Sequence, residues 1–363
     1  MSRAFFMPTI VLTMSTILAD RLLQWHAEIE RDMPWKETKD PYRIWISEVI
    51  LQQTRVAQGR DYYLRFVERL PTVRDLAMAK EDEVLRLWKG LGYYSRARNL
   101  HKAAKQVMEI HAGVFPRKYE DVLSLPGIGP YTAAAIVSFA YDLPYPVVDG
   151  NVYRVLSRIY GIHTPIDSTA GKKEYLAKAN ENINTEKPAQ YNQAIMDFGA
   201  LICKPISPLC TNCIMADSCV AHAEDLITKL PVKEKKTKVR NRYFVYVIMM
   251  AEEQIYLQRR DAKDIWQGLY EPYLIELPKR TSKATILTEI QERLGLSTEE
   301  SIRYRSLTQQ LSHQKIHATF VSYERQSDRD LDGRYYPIDQ ITDYAYPRVV
   351  DREIQSILYG DSF

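Results

Sequence analysis

Three groups of side chains stand at spacings that could do chemistry. The first lies in residues 125–154. Leu125-Pro126-Gly127-Ile128-Gly129-Pro130 sets two glycines two apart between prolines, a tight turn whose backbone N–H groups can point outward together. Thr132 to Ala135 follow as the small residues of a closely packed helix. A glycine turn feeding a helix N-terminus suits an anion, here a nucleic-acid phosphate. A plain turn between two core helices accounts for Gly127 and Gly129 equally well. Val147-Val148-Asp149-Gly150-Asn151 is a second turn that opens a helix, and it supplies a lone carboxylate. Asp149 has a competing reading as that helix's N-cap.

The second group centres on Glu48, in a helix expected from Pro41 to about Val56. Ile44, Trp45 and Leu51 stand four before, three before and three after it, so its helical face is apolar. A carboxyl walled in this way has a raised pKa and suits a general acid at neutral pH. The other reading is a Glu at the rim of the core that reaches solvent. The third group is Cys203, Cys210, Cys213 and Cys219, all four cysteines of the chain, spaced C-x6-C-x2-C-x5-C. In a reducing compartment disulfides are disfavoured. Four clustered thiols then read as a metal site, which zinc or a cubane iron–sulfur cluster would both satisfy.

The elements that must position these groups are mostly helical. Leu18, Leu22, Leu23, Trp25 and Ile29 follow a 3.6-residue period, broken at Asp32-Met33-Pro34-Trp35. Residues 61–112 read as amphipathic helices around Gly90-Leu91-Gly92-Tyr93-Tyr94-Ser95-Arg96, a stretch that fits either a phosphate-touching loop with an aromatic wedge or a plain helix–helix turn. Three further helices are expected over 151–198. Residues 229–242 hold seven Lys or Arg against one Glu, a linker by composition. Beyond it the texture turns β-rich at Tyr243–Met250, Ile255–Leu257 and His317–Tyr323, with one helix near Lys283–Leu294. At 363 residues two domains are expected: 15–226, a linker at 227–242, and 243–363. A net charge of +3 does not by itself announce a nucleic-acid partner, so any basic surface must be local. Residues 1–14 read as a weakly ordered extension without a cleavage site. No stretch reaches a membrane-spanning length, and the expected setting is cytoplasmic and DNA-associated.

Several of these motifs are shared with one superfamily. LPGIGPYTAAAI resembles the helix-hairpin-helix of the DNA glycosylases related to endonuclease III, and Val148-Asp149-Gly150-Asn151-Val152-Tyr153-Arg154-Val155 resembles the run carrying their catalytic Asp. Ser47-Glu48-Val49-Ile50-Leu51-Gln52-Gln53-Thr54 resembles the acid-bearing segment of the MutY-type adenine glycosylases. The resemblance implies Glu48 as the acid, Leu51, Gln52 and Gln53 in the DNA stack, and Tyr93 as a wedge. Gly127 and Gly129 would grip the DNA backbone. The cysteine spacing is the one this superfamily uses for a [4Fe–4S] cluster, so the resemblance decides between the metals.

Position 131 discriminates within the superfamily. Strand-nicking members place there a Lys that forms a Schiff base, and Tyr131 cannot. The resemblance therefore implies a monofunctional enzyme that acts on adenine opposite 8-oxoguanine or G in duplex DNA, as a monomer. Glu48 would protonate the base and Asp149 would shield the sugar cation, with Tyr131 and Asn151 holding Asp149 and the sugar.

The implied architecture is a mainly α helix-hairpin-helix glycosylase domain with a cluster loop at 203–219, followed by an α+β Nudix-like domain. In the latter the metal-binding box is broken. Thr288, Arg293, Leu274 and Arg280 stand at its Arg, Glu, Gly and Glu positions, so Mg²⁺-dependent pyrophosphate cleavage is expected to be lost. The family's Phe-Ser-His lesion-sensing loop matches Leu311-Ser312-His313. The aromatic is missing, and hydrogen bonding from Ser312 and His313 remains. A lesion-binding protein without turnover, a Nudix hydrolase with a DNA-binding appendage, and a bifunctional lyase are the competing readings.

Overall fold

The computed structural model describes residues 14–234, 239–261, 263–297, 299, 301–327 and 329–360. The N-terminal extension, apart from Met14, and residues 235–238 of the basic linker lie outside them. No helix among the described residues is long and apolar enough to cross a membrane.

Cα proximity divides the chain into two units, one from residues 1–74 and 103–235, the other from 75–102 and 236–363. The helices in chain order are α1 (Met14–Ala27), α2 (Pro41–Leu51), α3 (Val56–Arg69), α4 (Val73–Met78), α5 (Glu81–Leu87), α6 (Ser95–Ile110), α7 (Tyr119–Leu123), α8 (Pro130–Tyr141), α9 (Gly150–Tyr160), α10 (Thr169–Asn182), α11 (Pro188–Leu201) and α12 (Val220–Ala223).

Local chemistry sets their starts. Asp40 caps α2 by accepting from the Tyr42 N–H at 2.9 Å, with Pro41 in the first turn where its missing N–H costs nothing. Pro130 opens α8 in the same way. The helix expected from Pro41 to about Val56 ends instead at Leu51. Residues 52–55 form a turn with Gln53 in the left-handed region at φ 60°, which stops α2 and redirects the chain into α3. In the first unit α1, α9, α10 and α11 share one core of Leu18, Leu22, Val155, Leu156, Tyr175 and Phe198. Each such side chain contributes about 1.5–3 kcal/mol by burial. α2 is buried along most of its length, from Tyr42 to Ile50.

The second unit holds a seven-stranded mixed sheet. Its central strand β1 (Arg240–Ala251) makes an antiparallel hairpin with β2 (Gln254–Arg259). Next come β3 (Tyr270–Glu271) and β4 (Tyr273–Leu277), then α13 (Lys283–Leu294), β5 (Ser301–Gln310), β6 (Gln314–Tyr323), β7 (Arg334–Pro337) and α14 (Arg348–Tyr359). β1 runs parallel to β6 and antiparallel to β4. The two-residue period of β1 explains the layers. Phe244, Tyr246 and Ile248 face Val349, Val350 and Ile354 of α14, whereas Val245, Val247 and Met249 face Ile286, Ile290 and Leu294 of α13. A helix on each side of a sheet is the α+β arrangement expected from the sequence.

The segment 75–102, read from sequence as part of the first domain, groups with the second unit. Its charged side chains explain this: Glu81 pairs with Arg259 at 2.7 Å, Arg86 with Asp343 at 3.3 Å and Lys89 with Asp351 at 2.7 Å.

Candidate active site

One cavity of about 670 Å³ in the first unit is lined by Glu48, Leu51, Gln52, Gln53, Tyr131, Asp149 and Asn151. This volume falls within the range of small-molecule sites. Three elements deliver the polar groups: α2 brings Glu48, the start of α8 brings Tyr131, and the N-terminus of α9 brings Asp149 and Asn151.

Glu48 is 9 % exposed, so its apolar walls do enclose it. The Tyr131 hydroxyl donates to Oε2 at 2.8 Å. Burial pushes the Glu48 pKa up to about 7; the Tyr131 bond opposes the shift and the Asp149 charge adds to it. The carboxyl is therefore poised between its two forms near neutral pH.

Asp149 is held differently. Its Oδ1 accepts from the N–H groups of Asn151 at 2.9 Å and Val152 at 2.8 Å, and its Oδ2 accepts from Asn151 Nδ2 at 2.8 Å. It is thus the N-cap of α9 as well as a wall of the cavity, and the two readings of the sequence coexist. Burial raises its pKa, while these hydrogen bonds and the Arg154 charge oppose the rise. A carboxylate fixed by three donors at a helix N-terminus is rigid and acceptor-only when ionised.

The expected pairing of Tyr131 with Asp149 is corrected: its hydroxyl lies on Glu48, while Asn151 alone of the two holds Asp149. Asn151 is itself positioned, because its Oδ1 accepts from Arg154 Nη2 at 2.8 Å. Arg154 donates further to the carbonyls of Gly199 at 2.7 Å and Cys203 at 2.7 Å.

The hairpin adopts the expected turn. Gly127 has φ 79°, a region that L side chains rarely adopt, and Gly129 caps α8. Gln52 donates to Thr132 Oγ1 at 3.3 Å, and exposed Gln53 stands at the tip of the 52–55 turn.

In the second unit Tyr93 is 51 % exposed, with φ 47°, and its hydroxyl is hydrogen-bonded to Ser312 Oγ. Ser312 and His313 are exposed in the tight β5–β6 turn closed by Leu311 N–H to Gln314 O at 2.7 Å. Leu311 packs on the core around Phe244, so the position that lacks the aromatic faces inward.

Cys203, Cys210, Cys213 and Cys219 line one small cavity against Arg158, Ile159 and Phe198. Arg158 Nη1 lies 3.5 Å from Cys203 Sγ, and the Met215 N–H donates to Cys213 Sγ at 3.4 Å. Burial pushes the thiols of Cys203 and Cys219 up, and that of Cys213 up to about 11. Among the described residues no three His, Cys, Asp or Glu side chains meet in an arrangement for a single metal ion. Four thiols lining one space have the chemistry to hold a thiolate-bound group.

The sequence reading missed several cavity residues, four of which meet one another. His26, Arg31 and Lys36 line it from the end of α1 and the segment after it, and Asp197 lines it from α11. Asp197 carried the signal that identified Glu48: Ala194 and Leu201 stand three before and four after it, giving a carboxylate an apolar face.

Residues 46–183 match the family described as HhH-GPD superfamily base excision DNA repair protein, and residues 244–356 match the NUDIX domain. The adenine DNA glycosylase of Buchnera aphidicola subsp. Schizaphis graminum is 37 % identical over 257 residues, 70 % of this chain and 74 % of the relative. The adenine DNA glycosylase of Rattus norvegicus is 42 % identical over 216 residues, 57 % of this chain and 42 % of the relative. Among solved structures, a thermostable thymine-DNA glycosylase superposes with a TM-score of 0.54 at 29 % identity, covering 58 % of this chain and 96 % of that one.

Proposed function

The chain belongs to the adenine DNA glycosylases, within the helix-hairpin-helix base excision repair superfamily, and on that premise we propose that it hydrolyses the N-glycosidic bond of adenine paired with 8-oxoguanine or G in duplex DNA. The observation that carries the chemistry is the presence of two carboxyl groups of unequal character in one cavity.

Breaking this bond has two obstacles. Departing adenine is a poor leaving group, and C1′ becomes cationic. Glu48, protonated in a large fraction of molecules near pH 7, supplies the proton to the base. Such an acid contributes about 10²–10⁴ in rate. Asp149, fixed by Asn151 and the start of α9, supplies the negative charge that shields the sugar. Tyr131 orients Glu48 by its hydrogen bond. It offers no amine for a Schiff base, so the sugar–phosphate strand is left intact.

The adenine must leave the helix to reach the cavity, and a mispaired base leaves at the lowest cost. Leu51, Gln52 and Gln53, which line the cavity, are assigned to the vacated stack; Tyr93 is assigned as a wedge, and Gly127 and Gly129 to the DNA backbone. Ser312 and His313 are assigned to the base opposite adenine.

The four cysteines are assigned to one [4Fe–4S] cluster, supported by the four-thiol cavity and the N–H donors aimed at two of its sulfurs. When bound, that group supplies a fixed cross-link that shapes the 203–219 loop. Iron analysis of purified protein should give about four irons per chain; an iron-free, fully active protein would exclude the assignment.

The functional test is release of free adenine under single-turnover conditions from duplexes with A opposite 8-oxoguanine, G, C and T. Release from the first two alone is expected. Tight binding without release would favour a lesion-binding role instead.

A further inference from the structure

Asp197 is used neither by the chemistry above nor by the hairpin. It lies on α11 beside core residues Ala194, Ile195 and Phe198, and its side chain is 2 % exposed. An ionised group that deep persists only where its charge is matched. Three basic side chains match it: His26 Nε2 at 3.0 Å and Lys36 Nζ at 2.7 Å meet Oδ2, and Arg31 Nη1 meets Oδ1. Burial alone would raise the Asp197 pKa. The hydrogen bonds from His26 and Lys36 and the charges of Lys36 and Arg31 outweigh burial and hold it well below the usual carboxylate range.

The three partners come from the end of α1 and from the segment of turns and bends between α1 and α2. Arg31 and Lys36 stand on no regular element, and their bonds to α11 tie their side chains to that helix. Both line the cavity that holds Glu48 and Asp149. Burial lowers the Lys36 pKa and its bond to Asp197 opposes that shift; with Arg31 it sets two basic groups against one carboxylate on that wall. A purine leaving a sugar accumulates electron density on its ring, and preorganised cationic donors stabilise such charge.

We propose that Asp197 is a positioning residue for base release, holding Arg31 and Lys36 on the cavity wall so that their N–H groups meet acceptor nitrogens of the extruded purine. This rests on the cavity being the base-release site. Asp197 itself touches no reacting atom; it acts through the two cations.

The test compares Asp197→Asn and Asp197→Glu with the parent protein on two duplexes. One carries a 2′-fluorinated adenosine, which resists cleavage and fills the cavity with a base. The other carries a tetrahydrofuran abasic analogue, which leaves it without one. Asp197→Asn should slow single-turnover adenine release about tenfold or more. It should weaken binding of the fluorinated duplex about tenfold and leave the abasic duplex within about twofold. Asp197→Glu should recover part of the loss.

Equal weakening of both duplexes would reduce Asp197 to a structural tie and overturn the inference, as would an unchanged release rate. If Asp197→Asn does not fold, Arg31→Met and Lys36→Met must show the same selective loss, and equal effects on both duplexes again overturn it. Should the parent protein release no adenine, the functional reading itself fails; release by the parent with no selective loss in the variants defeats this inference alone.

Discussion

Glu48 and Asp149 are both carboxyls, and what separates them is what surrounds each. Glu48 has apolar walls and one hydroxyl donor; Asp149 has three N–H donors at a helix start. In the proposed chemistry Glu48 must carry a proton, so its competent fraction falls as pH rises through about 7. The same proposal needs Asp149 ionised, so the acid limb would reflect its own raised pKa. The rate of adenine release should therefore fall about tenfold per pH unit well above neutrality. Glu48→Gln should remove that dependence along with the activity.

The same ionisation bears on stability. Folding raises the Glu48 pKa from 4.5 to about 7. Its contribution is therefore fully present below 4.5 and lost as pH rises through 7, a difference of up to about 3 kcal/mol. Glu48→Gln should melt at a higher temperature than the parent at pH 8, with the advantage narrowing toward pH 5. A constant difference in Tm across that range would contradict the ionisation.

Glu48 was legible in the sequence because its walls are helical neighbours. The partner of Tyr131 was not, because it lies 83 positions away and only the packing of α8 on α2 brings the pair together. Asp197 had an equally apolar face, but its three partners are 161 to 171 positions distant.

At the level of elements, the site depends on how closely α11 approaches the start of α9. Gly199 permits that approach: a Cβ there would lie 2.7 Å from the Asn151 Cβ and 3.2 Å from its backbone. Gly199→Ala should push Asn151, and with it Asp149, out of place. The overpacking should cost about 1–3 kcal/mol. Release should slow more than binding weakens, measured as single-turnover rate against duplex affinity; a parental release rate in a folded Gly199→Ala protein would contradict this reading of the contact.

Nothing in the sequence singled out Gly199, because a helical glycine reveals its use only when the crossing helix is known. Gly127 was legible because the turn around it is local. The expected helix through residue 56 failed for a local reason that residue types do not announce, namely the left-handed Gln53, and the resulting turn sets Gln52 and Gln53 at the cavity.

For the whole molecule, the change from helical to alternating texture after residue 242 was legible, and the two families matched fall on either side of it. The grouping of 75–102 with the second unit was not, because ion pairs such as Arg86 with Asp343 join positions 257 apart. That grouping puts Tyr93 and Ser312, each proposed from sequence to touch DNA, within hydrogen-bonding reach of one another. Replacing Ser312 and His313 together with Ala should lower the ratio of release rates on A opposite 8-oxoguanine and A opposite G, chiefly by slowing the first. An unchanged ratio would remove the second unit from recognition of the opposing base.

The most direct test of the account is single-turnover release of free adenine from a duplex bearing A opposite 8-oxoguanine, by the parent protein and by Glu48→Gln, with binding of both to an abasic-analogue duplex as the reference. The account predicts release by the parent, none by the variant, and equal binding. Release by Glu48→Gln at the parental rate would contradict it.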